Sequence, residues 1–224
     1  MKKRVPIVLA VLLLASLACS LGGALDSTDT IDTGSSDTSS DVLFNDDFSN
    51  PNSGWPSTDD GDEDFIGYAD GSYRIFVSAP ELLLFATSPD SFQNDVHIEI
   101  DATKVGGPDD NYFGLICRYQ DLDNFYFFLL SSDGFAGIGM YLNDEIQFLS
   151  GEQFDYTEAI NQGNATNRVS ADCVGDQLTL YANGDEVATA TDSTFSDGYV
   201  GVLARANAES GVDILFDNLT VSAR

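Results

Sequence analysis

Hydrophobic and polar residues alternate in short runs from Val42 to Arg224. Gly, Asp, Asn and Pro interrupt the runs about every 8–12 residues, the spacing of turns in an all-β sandwich or barrel. Strands with one buried face are predicted over residues 42–48, 73–78, 82–87, 96–103, 112–119, 124–130, 136–142, 146–149, 167–174, 177–181, 186–191, 198–205 and 212–221. Asn143-Asp144 and Asn183-Gly184 supply residues tolerant of positive φ, as a two-residue type I′ hairpin requires. No segment keeps a helical period over a useful length, and residues 151–164 have room for one short helical turn at most. The run from Phe125 to Leu130 is apolar on both faces. Such a strand belongs in the centre of a sheet, with one face in the core.

The N-terminus has a different pattern. Lys2, Lys3 and Arg4 precede an apolar run from Val5 to Ala18, which is the layout of a secretory signal. Ala18-Cys19 resembles the end of a bacterial lipobox, although Ser16 and Leu17 depart from its usual Leu and small residue. The resemblance implies cleavage before Cys19 and a lipid on its thiol, so that the membrane is a partner through the anchor. Each buried CH₂ contributes ~0.8 kcal/mol, and two or more acyl chains hold stably. An uncleaved signal anchor and full secretion are the alternatives. Residues 20–41 are mainly Ser, Thr, Asp and Gly, with almost nothing apolar after Leu25. They cannot bury enough surface to offset ordering entropy, and they read as a tether.

Charge narrows the partners. The chain has 37 acids, 9 bases and a net charge of −28. Loss of Lys2, Lys3 and Arg4 with the leader makes it −31, that is −28 minus 3. Such a surface repels nucleic-acid phosphates, which excludes a nucleic-acid function. Most of the acids are Asp in turns, where the side chain favours the turn itself. With Cys19 lipidated, Cys117 and Cys173 remain. One disulfide in an oxidising compartment is expected, against two buried free thiols.

The domain resembles the concanavalin A-like lectin/glucanase superfamily, and within it the laminin-G-like and DUF1080 (3-keto-disaccharide hydrolase-like) domains. The matching stretches are Asp46 to Ser49 with Gly54-Trp55, Asn111 to Tyr119, Asp123 to Tyr126, Ser132 to Gly134, Arg168 to Val174, Leu178 to Gly184 and Phe216 to Leu219. The resemblance spans nearly all of residues 42–224 and implies a two-sheet jelly roll whose first and last strands pair. Glucanases of this superfamily carry a strand reading Glu-x-Asp-x-x-Glu. Glu99 and Asp101 match its first two acids, but the third position falls on Lys104, or on Thr103 in the shorter variant. A retaining enzyme needs both outer carboxylates, so a solvated polar face is the favoured reading. Many relatives carry a structural calcium ion, and Asp46, Asp47 and Asp217 are its candidate ligands here.

Three residues are candidate sugar contacts. If Cys117 faces the core, Arg118 faces outward, and Tyr126 and Tyr141 could line the same open concave sheet. Aromatic rings stack on sugar faces, and arginine donates to hydroxyls or carboxylates. Against this stands a loop that covers the rings. His97, the only histidine, reads as a surface polar residue. Trp55, the only tryptophan, reads as a plug at the sandwich edge in preference to a sugar platform. The expectation is an extracytoplasmic, lipid-anchored module that binds a glycan. An enzyme acting on a sugar derivative and a structural envelope or adhesion protein are the alternatives.

Overall fold

Alternation becomes two packed antiparallel sheets in the computed structural model, which describes residues 41–59, 63–93 and 95–224. Cys19, its leader and the tether up to residue 40 lie outside the described residues. In chain order the strands are β1 (Val42–Asp46), β2 (Thr58–Asp59), β3 (Phe65–Ala69), β4 (Ser72–Val77), β5 (Leu83–Phe92), β6 (Val96–Gly106), β7 (Asn111–Asp121), β8 (Asn124–Leu130), β9 (Phe135–Leu142), β10 (Glu145–Phe148), β11 (Asp155–Tyr156), β12 (Thr166–Val174), β13 (Gln177–Ala182), β14 (Asp185–Thr191), β15 (Gly198–Ala206) and β16 (Val212–Ala223). The nine-stranded sheet is ordered β14-β13-β12-β6-β16-β4-β3-β2, with β1 beside β16. The seven-stranded sheet is ordered β10-β9-β8-β7-β15-β5, with β11 beside β9. The first and last strands pair as expected, Asp46 opposite Leu219. Each predicted strand is present, and β2, β3 and β11 are additional.

The core lies between the sheets. On β6, Val96, Ile98, Ile100 and Ala102 point inward, while His97, Glu99 and Asp101 point out. Trp55 is buried against Phe48 and Tyr73, with ring centroids 5.4 Å apart in both pairs, so it is the edge plug. Both hairpins have the expected backbone: Asn143 and Asp144 have φ of 53° and 68°, and Asn183 and Gly184 have φ of 53° and 93°. A disulfide joins Cys117 on β7 to Cys173 on β12 and so ties one sheet to the other. Strand β8 sits between β7 and β9, buried on both faces as its composition requires.

A β-bulge breaks the alternation of β7 after Cys117. The register with β8 shifts between Cys117 and Asp121, and Arg118 takes φ 53°. A bulge re-aims the side chains around it, and here it turns Arg118 inward.

Candidate functional site

The two outer faces of the sandwich differ in chemistry. On the nine-stranded sheet, cross-strand charges satisfy one another. Arg168 donates to Asp101 at 2.9 Å and also to Glu99. Asp172 lies opposite His97, which it meets at 2.7 Å, and it accepts from Arg224 at 2.8 Å and Tyr181 at 3.0 Å. His97 therefore has a carboxylate partner that spacing along the chain does not reveal. The hydrogen bond from Arg168 holds the Glu99 carboxyl below its usual range, outweighing the upward push of burial. Burial pushes Asp172 up, but bonds from His97, Arg224 and Tyr181 together bring it below the usual value. A general acid needs the opposite shift.

The outer face of the seven-stranded sheet is apolar and aromatic. Ile116, Phe125, Phe127, Leu129, Phe154 and Leu203 form a second buried cluster there, separate from the core between the sheets. Phe85, Tyr119 and Tyr141 surround Phe125 at centroid distances of 5.6, 5.7 and 4.9 Å. After the β9–β10 hairpin the chain returns over the sheet and lays Phe154 on it. Phe154 meets Tyr112 and Phe148 edge to face at 4.9 and 5.3 Å. Gly137 makes this approach feasible, since a Cβ there would overlap the Phe154 ring.

The cover is partial, and an open groove remains, about 410 Å³ counting the space shared with solvent. Its floor is Phe127 and Leu129 on the central strand. Tyr141, Ile146 and Phe148 stand on the β9–β10 side, and Leu83, Leu203 and Arg205 on the β5–β15 side. Ile146 and Phe148 are 45% and 49% exposed, which is high for large apolar side chains. Arg205 donates to Glu81 at 2.7 Å. Past Tyr112 and Phe154, which line both spaces, the groove opens into a polar recess of about 530 Å³ bounded by Asp110, Asp133, Phe135 and Gln153. Apolar walls with a few polar groups at one end are typical of small-molecule sites.

The expected contacts divide between two environments. Tyr141 lines the groove. Arg118 and Tyr126 do not face outward; they are 4% and 0% exposed. The bulge turns Arg118 into the end of the sandwich. There it donates to the carbonyls of Gly175 and Phe195, both at 2.9 Å, to the Cys173 carbonyl at 3.2 Å and to Asp95 at 3.2 Å. Tyr126 lies directly opposite Cys117 in the β7–β8 register, so it shares the core face of that cysteine. Its hydroxyl donates to Asp192 and accepts from the Phe195 amide at 3.1 Å. Burial, reinforced by Asp192, pushes its pKa up to about 12.

Asp46, Asp47 and Asp217 each turn to nearby backbone. Asp46 accepts from the Phe48 amide at 2.8 Å, Asp47 from the Ser49 amide at 3.0 Å, and Asp217 from the Asn218 amide at 2.7 Å. Among the described residues, no group of three or more His, Cys, Asp or Glu side chains is placed to hold a metal ion. The groove residues Phe148, Phe154, Asp110 and Asp133 escaped sequence reasoning. The one sequence signal was the central strand with two apolar faces, which requires an apolar partner on the outer side.

No family model matches the chain, and no curated protein matches it. Solved structures do. A carbohydrate-binding module, CBM66, from Bacillus subtilis superposes with a TM-score of 0.62 at 19% identity, covering 76% of this chain and 96% of that one. A Bacillus subtilis protein of unknown function with a galectin-like fold gives 0.58 at 11% identity, covering 82% and 98%. The β-glucanase of Bacillus licheniformis gives 0.57 at 12% identity, covering 83% and 100%. At these identities the likeness is one of fold: the chain is a two-sheet jelly roll of the concanavalin A-like and galectin-like kind.

Proposed function

We propose that this chain is an extracytoplasmic, lipid-anchored module that binds a glycan, without cleaving it, in the groove on its seven-stranded sheet. The observation that carries this reading is the groove itself, an open aromatic trough that leaves Phe148 half exposed and shares Tyr112 and Phe154 with a polar recess. Sugar rings present apolar faces to aromatic side chains and hydroxyls to polar rims, and the groove offers both. The fold neighbours include a carbohydrate-binding module and a β-glucanase, which supports a glycan over other small ligands. The non-catalytic part rests on Glu99 and Asp101, both held by Arg168 on the opposite sheet.

Ala223 donates to the Asp41 carbonyl, and Ala223 pairs with Val96 at the start of β6. The recess carboxylate Asp110 follows the far end of β6. Eleven residues of strand separate the two ends, about 35 Å. The recess therefore lies at the opposite end of β6 from Asp41.

Affinity gels and a glycan array test the binding. A ligand is expected for the wild type, with at least tenfold weaker retention for the Tyr141→Ala/Phe148→Ala double variant. No ligand on the array, or undiminished retention in that variant, overturns the reading. Release of reducing sugar from a bound glycan overturns its non-catalytic part. Intact-mass measurement on membrane-extracted protein tests the anchor, and an unmodified Met1 terminus overturns it.

A further inference from the structure

We infer that Arg205 is the polar clamp of the groove: with Glu81 it grips two adjacent hydroxyls of one sugar ring, so that the ligand is an uncharged glycan with a free vicinal diol. The inference rests on the binding reading above and concerns what the groove recognises. A sugar laid in an apolar trough needs partners for its hydroxyls, because burying them unpaired is costly. Of the side chains that line the trough, only Tyr112, Tyr141 and Arg205 carry polar atoms. The Tyr112 hydroxyl already bonds Asn207. Arg205 on β15 stands directly opposite Tyr112 on β7. It lies two residues beyond Leu203, and so on the same face. Burial raises the pKa of Tyr112 and of Tyr141, and the Arg205 charge opposes the rise at each, which puts one guanidinium within electrostatic reach of both hydroxyls.

Arg205 also has donors to spare, whereas the other described arginines are committed. Arg74 is bidentate on Asp213, and Arg224 on Asp172. Arg168 spans Glu99 and Asp101, and Arg118 serves four acceptors. Among the described residues, Arg205 makes one side-chain hydrogen bond, from Nη2 to Glu81, and its Nε is buried without a partner. Its side chain is 26% exposed, while that of Glu81 is 70% exposed. The Glu81 amide donates to the Asn207 carbonyl at 2.9 Å and the Ala206 amide to the Leu82 carbonyl at 3.1 Å, which fixes the Glu81 turn beside β15. Donor and acceptor are thereby held side by side at the rim. A hydroxyl has one proton to donate and two lone pairs, so it can accept from Arg205 while donating to Glu81. Two adjacent hydroxyls match the planar fork of a guanidinium. The pair has no net charge, and Asp110 and Asp133 lie just past Tyr112, so a carboxylated glycan is repelled.

An array of gluco-, manno-, galacto-, xylo- and fructo-oligosaccharides with galacturonate and glucosamine oligomers finds the tightest binder. Calorimetry on the intact chain then compares that oligomer with its monodeoxy forms. The tightest binder should be neutral, and deoxy positions on two adjacent carbons should each weaken it about tenfold, as one charge-assisted contact provides. Arg205→Gln should weaken the parent oligomer by about tenfold or more, and the same two deoxy forms should then bind nearly as well as the parent, because their lost partner is already gone. Arg205→Lys should rescue little, since an ammonium lacks the fork. Glu81→Gln should weaken the parent severalfold, and its exposed position keeps the test open should the Arg205 variants fail to fold. Parent affinity unchanged in the folded variants, or deoxy losses that persist in full in them, overturns the inference. Full rescue by Arg205→Lys shows that charge alone acts and overturns it too, as does preference for the galacturonate or glucosamine oligomers. In each of these cases, loss of binding in Tyr141→Ala/Phe148→Ala leaves the binding reading standing. No binding of any oligomer overturns both.

Discussion

Phe125 and Tyr141 stack on the outer side of the seven-stranded sheet, their ring centroids 4.9 Å apart and their planes 26° apart. Phe125 is fully covered, whereas Tyr141 is half-covered and lines the groove. The two rings should therefore separate stability from binding. Phe125→Ala removes a buried aromatic and should cost ~3–5 kcal/mol. Tyr141→Ala should cost about 1 kcal/mol for the lost pair and weaken glycan retention much more than stability. Urea unfolding and affinity gels on the two variants check the separation. Equal destabilisation by both would contradict it.

Arg118 should be a structural residue. Replacement by Ala strands the buried carbonyls of Cys173 and Phe195 and removes the partner of the Gly175 carbonyl and the Asp95 carboxylate, which should lower stability by ~3 kcal/mol. Arg118→Lys should rescue little, because one ammonium cannot reproduce a planar guanidinium serving four acceptors. Unfolding midpoints measure this. Glycan affinity in the fraction that stays folded should not change.

The Cys117–Cys173 bridge closes a loop with a sequence separation of 56 and crosses from one sheet to the other. Its loss should cost about 4 kcal/mol in the chain-entropy model. Melting of the Cys117→Ser/Cys173→Ser chain against wild type, each with and without reductant, checks it. Reductant should shift only the wild type.

Acid should destabilise the polar outer face. Glu99 and Asp172 both have folded pKa values below their usual range. A depressed carboxylate contributes stability that is fully present above its unfolded value, near ~4, and is lost as pH falls through the folded value. Stability should therefore drop below about pH 4. Arg168→Gln removes the main cause of the Glu99 shift and should flatten this limb. Urea titrations from neutral pH downward test the slope.

The architecture was legible because alternation is local. Val96, Ile98 and Ile100 face the core for the same reason that His97, Glu99 and Asp101 do not: successive side chains in a strand point to opposite faces. The turn residues at Asn143-Asp144 and Asn183-Gly184 act locally too, through their tolerance of positive φ. The pairing of Cys117 with Cys173 was also within reach, since both lie on alternating apolar segments.

The site was not legible, because it depends on register and on a bulge. Alternation counted from Cys117 sends Arg118 outward, and the bulge after Cys117 reverses that direction. No residue type near Arg118 announces the bulge. It appears only when β7 must satisfy β8 and β15 together. Tyr126 faces the core because it lies opposite Cys117, a cross-strand fact that depends on where two strands meet. The groove needs more distant coincidences still. Asp110 and Asp133 border one recess because β7 and β8 are neighbours, and Phe154 reaches it because Gly137 lets a ring lie flat on the sheet. Local chemistry along the chain thus determines the strands, the turns and which faces are apolar. Only the packed sheets decide which aromatic rings remain half open to a ligand, since that depends on what each ring finds across a strand or beneath a returning loop.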